Sequence, residues 1–283
     1  MQSSMKKLII LTSVCALFSA SIGLFYSFGG PNRVVTNIYG QEVTLYGDGI
    51  YANDSIMTVG ATKGTDIVIL AAASLLLLLT LLKQRGSLIM LQGGLLALIL
   101  YATTCLIMGV SYNRLFLLYA LQFGSALFAF IIATSSILKT RSFDTKLYTK
   151  RLTGTAIFLI IGGCSVLVWL IFIIPPTFTG QPLEIIEVYT TVPTFALDLA
   201  IIFPSALFCG LSLLKKRPAG YQLAPVFLTL LTGVGITVIM QTIVQSSLGV
   251  VLNIGQLFGL VVSFIVLGAV ALVLNIKLLK LVR

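Results

Sequence analysis

Residues 198–221 read D-L-A-I-I-F-P-S-A-L-F-C-G-L-S-L-L-K-K-R-P-A-G-Y. This is a membrane-length apolar run with a carboxylate near one end and a basic turn at the other. Residues 66–87 read D-I-V-I-L-A-A-A-S-L-L-L-L-L-T-L-L-K-Q-R-G-S, a second version of the same plan. Sliding one on the other by 132 positions (198 − 66) brings Asp66 onto Asp198, Lys83 onto Lys215 and Arg85 onto Arg217. Leucine matches carry little weight in so apolar a chain, whereas charged matches carry more because charge is scarce. After a two-residue insertion, Gly86 pairs with Gly220 and Gln122 with Gln256, both 134 apart. The pattern reads as an internal duplication.

Working outward, eight apolar runs emerge: 8–28, 66–82, 87–110, 115–138, 154–174, 194–214, 222–245 and 252–276. Each is near the roughly 20 residues that cross a bilayer core as a helix. The composition agrees: 58% hydrophobic, 9% charged, mean hydropathy +1.09, too few charges to clothe a soluble domain. The first run follows Lys6 and Lys7 and has two readings, a signal peptide or a retained helix. The duplication favours the helix, which gains a counterpart in the fifth run. Residues 29–65 are polar. Val34–Tyr39 and Glu42–Tyr46 alternate around Gly40-Gln41, which predicts a small extracytoplasmic β-hairpin, and Gly47-Asp48-Gly49 marks a second turn. Asn53-Asp54-Ser55 matches a glycosylation sequon, a short pattern that arises often by chance.

The expected fold is all-α. It has eight transmembrane helices as two tandem four-helix repeats, 1–138 and 154–283, joined by a basic linker at 139–153. With the N-terminus in the cytoplasm, 15 of the 18 Lys and Arg residues fall on the inner side, leaving Arg33, Lys63 and Arg114 outside. The positive-inside rule then places both termini in the cytoplasm. The net charge of +10 is thus a topology signal and calls for no nucleic-acid partner. An even number of helices per repeat gives the repeats one orientation, related by an axis along the membrane normal.

Several residues are candidates for chemistry. Asp198 sits inside the sixth run and is followed by Pro204, which removes a backbone donor and can kink a helix. An intramembrane carboxylate normally faces a bundle interior or water. The other reading is an interfacial or capping group, and for Asp66 capping is the favoured one. Tyr119 and Gln122, Gln241 and Gln245, and Asn253 and Gln256 are spaced i, i+3 or i, i+4, so each pair shares a helix face. They serve either as interhelical glue or as the wall of an outward-facing polar pocket between the repeats. The candidate ligand-binding set is Asp198, Gln256, Gln122, Asp66, Tyr119, Gln241 and Gln245. Gly93-Gly94, Gly162-Gly163 and Gly233-x-Gly235 read as close helix packing, and Trp169 and Tyr189 as interface-belt aromatics.

Catalysis finds little support. The chain has no histidine, no H-E-x-x-H, no G-x-S-x-G and no P-loop. The four cysteines lie in apolar runs without C-x-x-C spacing, so no metal and no cofactor is expected. An aspartyl pair of Asp66 and Asp198 is the remaining hydrolase option, and their flanks lack the D-[TS]-G context.

Some stretches are familiar. Arg85-Gly86-Ser87, Tyr112-Asn113-Arg114-Leu115-Phe116-Leu117-Leu118-Tyr119, and Asp198-Leu199 through Pro204 to Pro218-Ala219-Gly220-Tyr221 resemble a set of bacterial multi-pass membrane proteins without an established activity. Tyr39-Gly40-Gln41-Glu42-Val43 and Leu45-Tyr46-Gly47-Asp48-Gly49-Ile50-Tyr51 through Asp54-Ser55 are similar too. The chain departs from that pattern at Lys63-Gly64-Thr65 and at Ala71-Ala72-Ala73, where proline is expected. The resemblance implies a bacterial cytoplasmic-membrane protein and carries no functional residue over. The leading expectation is binding of a small-molecule or lipid-like ligand from the outer side, for transport or sensing. The alternative is a non-catalytic scaffold or partner subunit that docks a protein partner through the hairpin loop and the basic faces.

Overall fold

The computed structural model describes residues 2–82, 86–139, 152–183, 185–252 and 254–282. Lys83, Arg85, Asn253 and most of the 139–153 linker lie outside them. Among the described residues, eight helices are long and apolar enough to cross a membrane: α1 Ser3–Phe25, α2 Ile56–Leu81, α3 Gly86–Gly109, α4 Phe116–Lys139, α5 Thr153–Thr179, α6 Pro193–Leu214, α7 Pro218–Ser247 and α8 Leu257–Leu279. The sheet is one hairpin, β1 Arg33–Thr36 and β2 Glu42–Leu45, antiparallel with Val35 opposite Val43.

The second helix begins ten residues before its apolar run. The expected polar loop 29–65 therefore ends at Ser55, whose side chain caps α2 by accepting the Thr58 amide at 3.1 Å. Thr58, Thr62, Lys63 and Thr65 lowered the hydropathy of this stretch and hid its helical turns. Asp66 is consequently no cap. It lies well inside α2 and is 4% exposed.

The hairpin follows its turn chemistry. Asn37 Oδ1 accepts the amides of Tyr39 and Gln41, both at 2.9 Å, an Asx-type closure. Gly40 takes the φ of +80° that the turn needs. The carboxylate of Asp48 receives the Ser27 hydroxyl and the amides of Phe28 and Gly29. These bonds, the Ser27 one first, hold its carboxyl well below the usual carboxylate range. They tie the end of α1 to the loop that leads into α2.

In a bilayer every backbone group must find its partner within the protein, and two interruptions show how that is met. In α6, Pro204 has no amide to give Ala200, and its ring crowds that carbonyl. The helix widens into a π turn at Asp198–Ile202, where the Phe203 amide reaches back to the Asp198 carbonyl. In α5, a tighter 3-10 turn at Val166–Trp169 separates Thr153–Ser165 from Leu170–Thr179.

α1 packs on α2 and α4, and α3 on α2 and α4, around a core of Ile9, Ala16, Ala73, Leu76, Leu96 and Ala133. In the second half α5 packs on α6, α6 on α7 and α7 on α8. The halves meet where α7 lies against α2 and α3. Glycine sets that closeness. A Cβ on Gly64 would collide with the backbone of Gln241, one on Gly60 with Gln245, and one on Gly235 would fall 2.7 Å from the Cα of Gly268 in α8. Of the pairs that govern these crossings, Gly60-x-x-x-Gly64 has the small-xxx-small spacing, a signal the hydropathy reading passed over because it fell in the presumed loop.

Candidate functional site

A cavity of about 440 Å³ lies between the two halves. Its walls come from α2 (Met57 to Ile69), α3 (Leu98 to Gly109), α5, α6 and α7, with Ser19 of α1, Gln122 of α4 and Phe264 of α8 at its edges. Most of the lining is apolar or aromatic. Of the residues expected from sequence, Asp66, Asp198, Gln122, Gln241 and Gln245 line it, and the three glutamines also bond to other helices.

Gln122 is 2% exposed; its Oε1 accepts Ser19 Oγ at 2.7 Å and its Nε2 donates to Thr103 Oγ1 at 2.7 Å, joining α1, α3 and α4. Gln241 Nε2 donates to Thr65 Oγ1 at 2.9 Å, and Gln245 Nε2 to the Met57 carbonyl at 3.1 Å, both fastening α7 to α2. Tyr119 packs with Tyr51, Val59 and Leu106 and is not part of the cavity wall. The side chain of Gln256 lies outside the described residues.

The two aspartates have different settings. Asp66 Oδ2 accepts the Tyr51 hydroxyl at 2.9 Å, and α1 passes so close at Gly23 that a Cβ there would collide with that oxygen. Lys63, one turn before it, reaches instead for Tyr46, with its ammonium 4.7 Å from the ring centroid and 3.2 Å from the hydroxyl. Asp198, 5% exposed, accepts Tyr101 of α3 on Oδ1 at 3.0 Å and Trp169 Nε1 of α5 on Oδ2 at 2.7 Å. One donor comes from each half of the chain, so Asp198 closes a polar link across the cavity wall. Sequence alone links neither donor to Asp198. Tyr101 is a lone polar tip in an apolar run, and Trp169 was assigned to the interface belt. The 3-10 turn that ends at Trp169 and the π turn that begins at Asp198 bring the two side chains together, and such local changes of helical pitch carry no composition signal.

Around Trp169 stand Phe195 at 4.9 Å, Phe172 at 6.3 Å and Phe264 at 6.5 Å between ring centroids. Among the described residues, no lysine or arginine lines the cavity, whereas Asp66, Asp198 and Glu187 do.

At the hairpin end, the segment between α5 and α6 lies over the start of α2. Glu187 accepts the hydroxyls of Ser55 and Thr58, and Asn37 Nδ2 donates to the Glu187 carbonyl at 2.7 Å. Tyr189 donates its hydroxyl to Asp54 Oδ1 at 3.1 Å. Asp54 Oδ1 also accepts the Ser111 amide at 2.7 Å, while its buried Oδ2 has no partner. Burial pushes the Asp54 carboxyl up to about 6, with Glu187 adding to the effect. Burial likewise raises Glu187. Tyr189 is therefore part of this latch.

Among the described residues no group of three His, Cys, Asp or Glu side chains converges as a metal site would need. No family model matches the chain, and neither a curated protein nor a solved structure matches it.

Proposed function

We propose that this is a multi-pass protein of a bacterial cytoplasmic membrane that binds a small or lipid-like ligand in the cavity between its halves, for transport or sensing. The observation that carries the reading is the placement of Asp198. An ionisable group at membrane depth is costly and marks a ligand or ion path by default. Here it stands on the wall of a cavity of ordinary ligand-site size. The proposal includes no catalytic step. It includes the two-repeat organisation, supported by Asp66 and Asp198 both lying on the same cavity wall. It also includes cytoplasmic termini with the hairpin outside, supported by the 15-to-3 division of basic residues.

The test is whether the cavity is reached by water. Cys105, on the cavity wall 3.8 Å from Thr194 Oγ1, is kept while Cys15, Cys164 and Cys209 are replaced by alanine. A second protein carries Thr237→Cys on a background without native cysteines. Modification of either thiol by aminoethyl methanethiosulfonate in membranes supports the cavity. Protection of both, with the protein folded, makes the interface dry and removes the site.

A second reading is favoured by one observation. The hairpin exposes Ile38 at its tip at 88% and Val34 on β1 at 62%, apolar surface that suits a docked protein partner. In that case the protein is a scaffold, and deleting the tip abolishes its function while Asp198→Asn does not.

A further inference from the structure

We propose, resting on the cavity reading above, that the ligand is a lipophilic monovalent organic cation, a protonated or quaternary amine, held between Asp198 and the Trp169 ring system. Charge and shape lead to the same class.

Charge decides against the other classes first. The described cavity wall carries three carboxylates and neither lysine nor arginine, so an anion is repelled. A neutral ligand leaves the buried carboxylates without a counter-charge. Asp66 already has Tyr51 and, one turn away, Lys63. Glu187 is bonded to Ser55 and Thr58 at the mouth. Asp198 is also held only by neutral donors, and unlike Glu187 it lies within a membrane-length helix beside the aromatic cluster. Its two oxygens meet the Tyr101 hydroxyl and the Trp169 indole nitrogen and no cation of the described cavity wall, so a cationic ligand is the partner that would hold it ionised. Each oxygen keeps a second lone pair for a ligand.

Shape narrows the class. Trp169 donates to Asp198 through its indole nitrogen, so the ring and the carboxylate are fixed relative to each other. Phe172, Phe195 and Phe264 extend the aromatic surface. A cation within about 6 Å of such ring faces is attracted by their quadrupoles, most strongly by tryptophan, and aromatic enclosures are the established way of holding quaternary ammonium groups. A metal ion would instead need several convergent oxygen ligands. The mostly apolar remainder of the wall suits the hydrocarbon part of the molecule. The same chemistry is available from a free amine or from the headgroup of an amine-bearing lipid.

The chain has a single tryptophan, so intrinsic fluorescence excited at the indole reports Trp169 alone. The probes are tetraphenylphosphonium and tetraphenylborate, which share a shape and differ in the sign of charge. With wild-type protein in detergent, phosphonium is expected to change the emission saturably, and borate to bind at least about tenfold more weakly. Asp198→Asn is expected to weaken phosphonium by about tenfold or more, with Asp198→Glu retaining part of the affinity. Should Asp198→Asn not fold, Tyr101→Phe, which frees Asp198 Oδ1, is expected to keep the preference for phosphonium over borate.

Equal or tighter binding of borate, or an unchanged phosphonium affinity in Asp198→Asn, overturns the cation class while leaving a ligand cavity in place. No response to either probe with Cys105 or the Thr237→Cys thiol open to the methanethiosulfonate reagent also overturns the class and not the cavity. No response with both Cys105 and the Thr237→Cys thiol closed overturns both. In nanodiscs, loss of phosphonium binding with phosphatidylethanolamine but not with phosphatidylglycerol assigns the resident cation to a lipid headgroup. Equal binding in both assigns it to a soluble amine.

Discussion

Replacing Asp54 by asparagine should remove most of a pH-dependent loss of stability. Asp54 is 1% exposed, and its Oδ2 has no hydrogen-bond partner. Burial raises its carboxyl from an ordinary 3.8 to about 6. The folded protein thus holds this proton more tightly than the unfolded chain does. The stabilisation is fully present below about pH 4 and is lost as pH rises through about 6. A shift of about 2 units corresponds to about 3 kcal/mol across that window. Glu187, also raised, adds a change of the same sign, so asparagine should reduce the slope without abolishing it. The amide keeps the Oδ1 contacts to Ser111 and Tyr189 and places an uncharged group where Oδ2 stands. Its own unpaired burial costs about 1–3 kcal/mol at every pH. The assay is thermal unfolding in detergent from pH 4 to pH 8. The wild type should lose several degrees more than the variant between the ends of that range. Parallel pH profiles, or a wild type that gains stability with rising pH, would refute the reasoning.

Three further outcomes follow from the packing and the charge pattern. Gly235→Val should abolish folded, monodisperse protein, because α7 and α8 cross there with Gly268 against it; Gly124→Ala, where a Cβ meets open space, should be neutral or slightly stabilising in the same size-exclusion assay. Tyr51→Phe removes the hydroxyl bonded to Asp66 and should cost about 1–3 kcal/mol; its coupling with Asp66→Asn in a double-mutant cycle should exceed about 0.5 kcal/mol, and additive losses would show that the bond contributes nothing. For topology, Tyr39→Cys at the exposed hairpin and Arg217→Cys at the opposite end are the informative pair. An impermeant maleimide applied to intact cells should label the first alone, and the reverse result inverts the orientation.

The apolar runs were legible because length and hydropathy alone determine whether a helix can cross a membrane, and the hairpin because its alternation and glycine turn are local. The start of α2 was not. Its first ten residues are polar enough to resemble a loop, and their helical state depends on the α7 backbone packed against Gly60 and Gly64. Asp198 stood out as a scarce charge in an apolar run. Its partners Tyr101 and Trp169 did not, since their meeting depends on a π turn in one helix and a 3-10 turn in another. Gln241 and Gln245, one turn apart on α7, both bond to α2. Which helix each would bond to is a tertiary fact: Gln122, Gln241 and Gln245 line the cavity and are interhelical ties as well.

The most direct measurement is an anomalous difference map from crystals grown with tetraphenylarsonium, whose arsenic marks the position of the positive charge. The account predicts one dominant peak inside the cavity, within about 6 Å of the Trp169 ring and on the side of Asp198, absent in Asp198→Asn crystals. A peak only on the lipid-facing surface, or a cavity closed by its own side chains, would contradict it.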